Sequence, residues 1–330
     1  MSMRVIKPGL LTSIQDLGRK GYQQHGVIVS GAMDPYSLRI SNMLVGNKEG
    51  EGALEITLMG PTLKIEKDCL IAITGGNLTP TVNGQVIPMW RPIFVKKDAI
   101  LAFGGCKSGC RAYLSVAGGF SISTVMNSKS TYLRGGLGGY EGRALQADDV
   151  IEMNSESLNL EKRGLDVFST VKWFVNGKDF MPESKPVIRF TKGRQYGFFT
   201  ESSKVDFEKE LFKVSNQSDR MGYRVSGPSL VLKEKRDLLS EAVTNGSIQV
   251  PPDGNPIILL ADSQTTGGYP KIAQVITADI AAIAQVKPGE SIQFSRVPLR
   301  EAEQLYLQKE QTLKELKTSI SLALNELQIK

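Results

Sequence analysis

Short apolar segments, separated at short intervals by glycine, proline, asparagine or aspartate, run along most of the chain. The segments are rich in β-branched and aromatic residues, and the clearest are "LIAIT" (70–74), "AILAF" (99–103), "RAYLSV" (111–116) and "SIQFSRV" (291–297). Such segments are typical of β-strands, and 33 glycines and 15 prolines supply the turns between them. The pattern predicts an all-β protein built as a barrel or a sandwich.

Two segments depart from this pattern and predict helices. Asp34-Pro35 is a typical N-cap followed by proline at the first helical position, and the helix should run through "YSLRISNMLV" to a stop at Gly46-Asn47. Near the end of the chain, apolar residues recur at three- and four-residue steps among charges, which predicts an amphipathic helix over 299–330. Its apolar positions are Leu313, Leu316, Ile320, Leu324 and Leu327. Such a helix packs on its own domain or against a partner chain, and the sequence leaves both open.

A weak internal repeat indicates two related β domains. "MGPTLKIEKD" (59–68) and "SGPSLVLKEKRD" (226–237) each place a Gly-Pro turn before alternating apolar residues. "ADDVIEM" (147–153) and "PGESIQF" (288–294) each place an acidic turn before a last strand. The predicted parts are a first domain over 1–153, a connecting segment over 154–185, a second domain over 186–298 and the terminal helix over 299–330.

One stretch carries an unusual density of hydrogen-bonding side chains. "IILLADSQTTGGYPK" (257–271) begins as a buried strand, turns polar after Leu260 and breaks at Gly267-Gly268. Its glutamine, threonines and glycines suit the recognition of a small polar molecule, because glycine lets a ligand approach the backbone closely. The same residues suit a β-hairpin loop whose polar side chains satisfy their own turn, and the local sequence favours this second interpretation.

The composition is that of a soluble globular protein, with 41% hydrophobic and 22% charged residues in a chain of 330. Lysine and arginine are mixed with acids, so the net charge of +6 does not indicate a nucleic-acid or membrane partner. The N-terminus lacks the apolar core of a signal peptide, and no apolar segment has the length of a membrane span. Three cysteines, an odd number, are typical of free thiols in a reducing compartment. We expect a cytoplasmic protein.

Familiar catalytic motifs are incomplete. "GGCKSG" (104–109) has Cys106 where a phosphate-binding loop requires glycine before its lysine. "GGLGGYEG" (135–142) has Glu141 where a dinucleotide fingerprint requires its last glycine. One histidine, His25, and one Cys-x-x-x-Cys pair do not make a zinc site, so no metal is expected. No Gly-x-Ser-x-Gly elbow is present either, and the sequence identifies no nucleophile.

Four stretches, taken together, resemble the signatures of one known family. They are "GLLTSIQDLGRKGYQQHGVIVSGAMDPYSLRISNMLVGN" (9–47), "STYLRGGLGGYEGRALQADD" (130–149), "SDRMGYRVSGPSL" (218–230) and "SEAVTNGSIQVPPDGNPIILLADSQTTGGYPKIAQVITAD" (240–279). The family is that of the 5-oxoprolinase C subunit, also named for KipA, the antagonist of the kinase inhibitor KipI. It includes one domain of urea amidolyase and of related biotin-dependent carboxylases. The chain departs from the family at "LQADD", where Gly-Asp is more usual, and its C-terminal helix lies outside the matched blocks.

The resemblance implies a fold of two cyclophilin-like β-barrel domains, in agreement with the strand-rich pattern. It also implies that the chain is the C subunit of an ATP-dependent 5-oxoprolinase. Such an enzyme opens the lactam of 5-oxo-L-proline to L-glutamate together with a KipI-like B subunit and a third, or A, subunit. ATP is then a co-substrate of the complex, with Mg²⁺ as a candidate companion, and neither is expected as a tightly bound cofactor of this chain. KipA-type proteins of spore-forming bacilli are also implicated in relieving KipI inhibition of a sporulation kinase.

The resemblance favours the ligand-binding interpretation of residues 262–271, which lie inside the last matched block. We expect Gln264, Thr266 and Lys271, together with His25, to be catalytic. The residues expected to bind the substrate are Thr265, Gly267, Gly268, Tyr269, Arg220, Tyr223, Arg134 and Arg143. Each has a structural alternative, since arginines in turns commonly pair with neighbouring acids and a single histidine is commonly structural.

Two other functions stay open from the sequence. The first is a non-catalytic regulator that binds a KipI-like inhibitor, which the absence of a recognisable nucleophile supports. The second is a carboxyltransferase-like domain, for which biotin would have to come on another chain, because no lysine lies in a biotin-attachment context.

Overall fold

The computed structural model describes residues 2–154, 167–182, 184–234 and 236–329, and the chain divides into two compact units. Unit 1 comprises Met1–Arg19, Asp34–Met181 and Thr312–Lys330, and unit 2 comprises Lys20–Met33 and Pro182–Gln311. Each unit has a hydrophobic core of its own. The predicted domain boundaries stay predictions, and residues 155–166 of the predicted connecting segment lie outside the described residues.

Unit 1 consists mainly of two antiparallel sheets around one core. Its strands are β1 (Ser2–Lys7), β2 (Leu11–Gln15), β3 (Ala53–Thr57), β4 (Thr62–Ile65), β5 (Cys69–Asn77), β6 (Thr81–Val82), β7 (Gln85–Val86), β8 (Pro92–Val95), β9 (Ile100–Ala102), β10 (Ser108–Val116), β11 (Val150–Glu152) and β12 (Phe168–Thr170). The sheet orders are β11-β1-β4-β9-β6-β7 and β12-β8-β5-β10-β3-β2. Side chains from both sheets, such as Leu63 and Ile71, are fully buried in the same cluster, so the sheets enclose one core.

Helix α1 (Pro35–Leu44) begins where the sequence predicts it. The Asp34 carboxylate caps the helix, accepting hydrogen bonds from the Ser37 backbone N–H at 3.0 Å and from the Ser37 hydroxyl at 2.7 Å. The Asp34 N–H in turn donates to the Tyr113 hydroxyl at 2.8 Å. The cap is therefore buried as well as local, and it ties the start of α1 to strand β10.

Unit 2 is built on a closed seven-stranded barrel. Its strands are β13 (Val187–Lys192), β14 (Leu211–Val214), β15 (Gly222–Ser226), β16 (Glu241–Ala242), β17 (Ser247–Gln249), β18 (Ile257–Leu259), β19 (Thr266–Gly267), β20 (Lys271–Val275) and β21 (Ser291–Arg296). The barrel order is β13-β20-β17-β18-β15-β14-β21, and β16 and β19 form a separate two-stranded ribbon. Helix α2 (Glu201–Lys209) contributes Phe207 to the core, where its ring stacks on Phe294 with centroids 4.4 Å apart. Helix α3 (Ile280–Ala284) adds further buried apolar residues.

The predicted amphipathic helix is confirmed as α4 (Leu299–Ile329). Leu313 and Ile320 are buried, and Leu316 and Leu324 are half-buried. The Leu327 side chain lies outside the described residues. Lys317 on this helix pairs with Glu49 at 2.9 Å, so its C-terminal part packs within unit 1.

The predicted all-β class is confirmed, with four α-helices in the described ranges. All four strand segments singled out from the sequence form strands, β5, β9, β10 and β21. The second copy of the weak repeat differs from the first, because residues 226–234 pass from the end of β15 into irregular chain with one isolated bridge at Leu232. Of the helices described here, none combines the length and apolar character required to cross a bilayer.

Candidate functional site

A polar cluster lies on the outer face of the unit 2 barrel, where β17 and β20 are neighbours. Gln249 and Lys271 are register partners across this antiparallel pair, so their side chains lie on the same face. Ile248 and Val250, on either side of Gln249, belong to the barrel core, which places Gln249 on the outward face. Lys271 shares this face as its register partner, beyond a register shift that follows Ile248. Both outward residues are nevertheless buried, with exposed fractions of 2% and 9%. Other chain segments must therefore cover this part of the barrel.

Lys271 is held by groups from two of those segments. Its ammonium lies 3.0 Å from the Glu241 carboxylate, which is on the short ribbon. Its backbone exchanges hydrogen bonds with Gln195, whose side-chain oxygen accepts from the Lys271 N–H and whose N–H donates to the Lys271 carbonyl, both at 3.1 Å. The turn can approach this closely because Gly193 has no side chain, and a Cβ there would lie 2.4 Å from the Lys271 carbonyl oxygen. Lys271 is thus fixed in position.

Glu241 is surrounded by donors. Besides Lys271, the Arg194 guanidinium lies 3.4 Å and the Gln195 amide nitrogen 3.5 Å from its Oε2 atom. The hydrogen bond from Lys271 holds the pKa of Glu241 below its ordinary value. With one carboxylate between two cations, this group carries a net positive charge, which suits an anionic ligand.

Gln249 differs from the other members of the cluster in how its side-chain amide is satisfied. Its Nε2 atom is buried and has no hydrogen-bond partner among the described residues. A buried amide without a partner is costly, so such a group requires an explanation. Gly267 lies directly against it, because a Cβ at position 267 would come within 2.4 Å of Nε2. The Gln249 amide is therefore covered by backbone alone at this point.

The cover over Gln249 is the ribbon of β16 and β19. Glu241 pairs with Gly267 and Ala242 with Thr266, and the Val243 N–H donates to the Thr265 carbonyl at 3.0 Å. This ladder is short, and two-stranded ribbons have little stability of their own. Residues 265–268 of the segment that the sequence singled out thus form a small flap in front of the cluster.

The start of the same stretch is held by a buried ion pair. The Arg220 guanidinium makes two hydrogen bonds with Asp262, Nε to Oδ2 at 2.8 Å and Nη2 to Oδ1 at 3.0 Å. Nη2 also donates to the Gly31 carbonyl at 2.7 Å. Arg220 and Asp262 are 4% and 5% exposed. Arg220 therefore fixes the loops around the barrel end, and its guanidinium is engaged by protein groups.

The structure separates the predicted residues of the stretch into two groups. Lys271 and Gly267 belong to the polar cluster, as described above. Gln264, Thr266 and Tyr269 are exposed, and Tyr269 has 45% of its surface accessible. The remaining two, Thr265 and Gly268, are half-buried in the flap.

The other predicted residues of unit 2 lie apart from this arrangement. Tyr223 points into the barrel core, is 2% exposed, and donates its hydroxyl to the Val286 carbonyl at 3.2 Å. This follows from strand alternation, because Tyr223 and Val225 share the inward face of β15. His25 is exposed at the end of a 3-10 turn, with its Nε2 atom 3.1 Å from the Gln24 amide nitrogen.

Arg134 and Arg143 belong to unit 1. Arg134 is exposed in a 3-10 turn of the glycine-rich loop. Arg143 makes hydrogen bonds with Asp149 at 2.7 and 2.9 Å and with Glu141 at 2.6 Å, and it lies over the Tyr140 ring. The hydrogen bond from Arg143 lowers the pKa of Asp149. Arg143 thus holds the turn that leads into β11.

Four members of the cluster were not singled out from the sequence, namely Arg194, Gln195, Glu241 and Gln249. Glu241 and Gln249 lie inside the last matched block, "SEAVTNGSIQV", but nothing in their local spacing distinguishes them. Within the described ranges, no group of three or more histidine, cysteine, aspartate or glutamate side chains is arranged to hold a metal ion.

Comparison with known proteins assigns the chain to a family. The family model described as "Carboxyltransferase domain, subdomain A and B" matches residues 25–296. The chain belongs to this family. The 5-oxoprolinase C subunit of Haemophilus influenzae is 40% identical over 294 residues, covering 89% of the chain and 90% of the relative. The 5-oxoprolinase C subunit of Escherichia coli is 38% identical over 302 residues, which cover 91% of the chain and 93% of that relative. The resemblance stated from the sequence is confirmed.

Larger enzymes contain a related part. The urea amidolyase of Saccharomyces cerevisiae is 35% identical over 318 residues, which are 90% of the chain but 17% of that protein. The crystal structure of Kluyveromyces lactis urea amidolyase matches with a TM-score of 0.85 and 32% identity, covering 95% of the chain and 20% of its own length. The chain thus spans nearly all of its 5-oxoprolinase relatives and a small share of the urea amidolyases.

Proposed function

We propose that this chain is the C subunit of an ATP-dependent 5-oxoprolinase, which opens the lactam of 5-oxo-L-proline to give L-glutamate. The observation that carries the proposal is the match to two proteins named as this 5-oxoprolinase component over about nine-tenths of both lengths. A component of this kind acts with other subunits, and we infer a KipI-like B subunit and a third, or A, subunit as its companions in the cytoplasm. By binding the KipI-like protein, this chain would also relieve the kinase that the KipI-like protein inhibits.

The polar cluster of unit 2 suits this substrate. 5-Oxoproline carries one carboxylate and one lactam, so its site requires a cation and groups that bind an amide. Lys271 and Arg194, with Glu241 between them, supply the net positive charge. A fixed ammonium binds a carboxylate more strongly than a mobile one, because less side-chain entropy is lost on binding. We assign Lys271 to the substrate carboxylate.

The chain itself does not display a complete catalytic apparatus. Its single histidine, His25, is exposed, and the cluster contains amides, carboxylate and cations but no thiol or imidazole among its described members. ATP would supply a phosphoryl group that activates the lactam oxygen. The role of this chain is then to bind and orient the lactam, and activity requires the complete assembly.

The decisive experiment measures ATP-dependent release of glutamate from 5-oxoproline. Three samples are compared: this chain alone, the chain with both companion subunits, and the two companions without it. We expect glutamate only from the complete mixture. Full activity without this chain would refute the proposal and favour a regulator that binds the KipI-like protein.

A matched pair of variants tests the assignment of Lys271. Lys271→Met should lower kcat/KM about tenfold to hundredfold, the equivalent of one charge-assisted hydrogen bond. Lys287→Met, which removes a lysine paired with Glu290 on the same unit, should leave it unchanged. Equal activity of both variants would show that Lys271 does not contact the substrate.

Similarity to urea amidolyase supports a second candidate, a role in carboxyl transfer. The family name and the relatives at 28–35% identity favour it. In that case biotin would reside on another chain, and urea rather than 5-oxoproline would bind the cluster. Urea-dependent turnover of ATP by an assembly containing this chain, without glutamate release, would establish it.

A further inference from the structure

The Gln249 side chain presents a hydrogen-bonding surface that the folded chain does not use. The residue is 2% exposed, and its Nε2 donor lacks a partner in the described part of the molecule. A leucine of similar size would fill this space without the desolvation cost of an amide. The amide therefore points to a ligand that completes its hydrogen bonds.

The chemistry of a carboxamide restricts what that ligand is. A primary amide offers a C=O acceptor and an N–H donor side by side on one edge. The complementary partner has the same pair in the same cis arrangement, so that two parallel hydrogen bonds form. A five-membered lactam is held in this cis arrangement by its ring. An open-chain peptide bond is trans and does not match, because its N–H and C=O point to opposite sides.

The same edge exists in urea, where each N–H₂ group has one N–H beside the C=O. If the relatives named for 5-oxoprolinase and for urea amidolyase bind through an equivalent amide, this shared edge would let one fold serve both. The lysine distinguishes the two ligands, since 5-oxoproline has a carboxylate for Lys271 and urea has none. Lys271 lies beside Gln249 in the strand register, so both contacts are available to one small molecule.

We propose that the Gln249 carboxamide is the specificity-determining group of this site and recognises the cis N–H/C=O edge of a lactam or urea-type substrate. Identification of the lactam as the physiological ligand rests on the proposed function. The backbone of Gly267 covers the amide, so the flap of residues 265–268 moves aside when the ligand enters. Glycine at 267 keeps this cover thin, because any larger residue would collide with the amide.

The test compares 5-oxoproline with its lactone analogue, in which a ring oxygen replaces the N–H. Binding of both to the complete assembly, without ATP, is measured by calorimetry for the wild type, Gln249→Leu and Gln293→Leu. Gln293 is a matched control on β21, a barrel strand that adjoins neither β17 nor β20, and its amide already donates to backbone carbonyls. Urea is titrated as a further ligand.

We expect the wild type and Gln293→Leu to prefer the lactam by about tenfold or more, the effect of one hydrogen bond in a buried site. Gln249→Leu should bind lactam and lactone within about twofold of each other, because both then lack a partner. Its melting temperature should be equal to or above that of the wild type, since no hydrogen bond within the protein is lost. A structural role would instead lower the melting temperature and leave the ligand preference intact.

The outcomes separate this inference from the proposed function. If the wild-type assembly releases glutamate and Gln249→Leu keeps the lactam preference, the inference is overturned and the function stands. In another outcome the wild type binds urea but not 5-oxoproline, with urea binding lost in Gln249→Leu. Recognition of a cis N–H/C=O edge by Gln249 would then be supported, and 5-oxoproline as the substrate would be refuted. Binding of neither ligand by the wild type would overturn both.

Discussion

Replacement of Arg220 by methionine tests whether this arginine holds the fold or binds the ligand. Methionine keeps much of the length and removes the charge, so Asp262 is left buried without its guanidinium partner. Breaking a buried ion pair from one side costs about 3–5 kcal/mol, because the remaining charge stays desolvated. The loss includes two hydrogen bonds to Asp262 and one to the Gly31 carbonyl. Since domains are stable by about 5–15 kcal/mol, unit 2 should lose a large share of its stability.

The assay must report on unit 2. Both tryptophans, Trp90 and Trp173, lie in unit 1, so tryptophan fluorescence is the wrong monitor. Native-state hydrogen exchange of peptides from β15 and β18, read by mass spectrometry along a guanidinium chloride series, follows the strands on either side of the ion pair. Arg220→Met should reduce the protection of these peptides by about 3–5 kcal/mol, whereas Lys287→Met should reduce it by less than about 1 kcal/mol.

The double variant Arg220→Met/Asp262→Leu removes both charges. It should recover at least about 2 kcal/mol relative to the sum of the single changes, because neither charge is then left alone. A cost below about 1 kcal/mol for Arg220→Met, or additive costs, would refute the buried-pair argument. If Arg220→Met instead raises KM for 5-oxoproline without loss of hydrogen-exchange protection, Arg220 binds the substrate, as the sequence predicts.

Three further changes have defined outcomes. Gly193→Ala should destabilise unit 2 by about 1–3 kcal/mol in guanidinium chloride denaturation, because its Cβ would meet the backbone carbonyl of Lys271, which is fixed in its strand. A neutral result would contradict this packing. Asp34→Ala should cost about 1–2 kcal/mol by removing the N-cap of α1, and Asn in its place should restore most of it. Asp149→Asn should lower the melting temperature at pH 7, because the Arg143 guanidinium depresses the pKa of Asp149 in the folded state. That stabilisation is present above the unfolded pKa of about 4 and is lost as pH falls through the folded pKa, so the two proteins should converge in acid, and a constant difference would disprove the link.

The elements that could be predicted are those whose signals are local. Helix α1 starts at Pro35 because the residue before it caps the helix and proline suits the first position, and both are adjacent in sequence. Strand β21 follows from alternation of apolar residues after an acidic turn. The second Gly-Pro segment shows the limit of this reasoning. There Gly227 packs against the Phe212 ring and Leu230 enters the barrel core, so a distant partner determines an irregular path.

The candidate site could be predicted only in part, for a related reason. Polar residues in the stretch from Asp262 indicate this segment, and Lys271, which we expect to be catalytic, lies in the cluster. The sequence favours Gln264, whose side chain is exposed, over Gln249, whose amide is buried. Sequence shows that a residue is a glutamine but not whether the fold buries it without a partner. The cluster unites residues from four separate segments, and only tertiary structure brings them together.

The sequence offered two interpretations of the stretch that ends at Lys271, a hairpin loop or a ligand site, and the structure makes them compatible. Its middle part pairs with Glu241 and Ala242 as a short ribbon, so it is a turn whose backbone is satisfied. The same ribbon places the Glu241 carboxylate beside the Lys271 ammonium and the backbone of Gly267 against the Gln249 amide. A side chain at 267 would collide with the Gln249 amide, and a longer ladder would hold this cover more firmly. A short ribbon with glycine at 267 covers the amide only thinly, and under our proposal it opens to admit a small lactam.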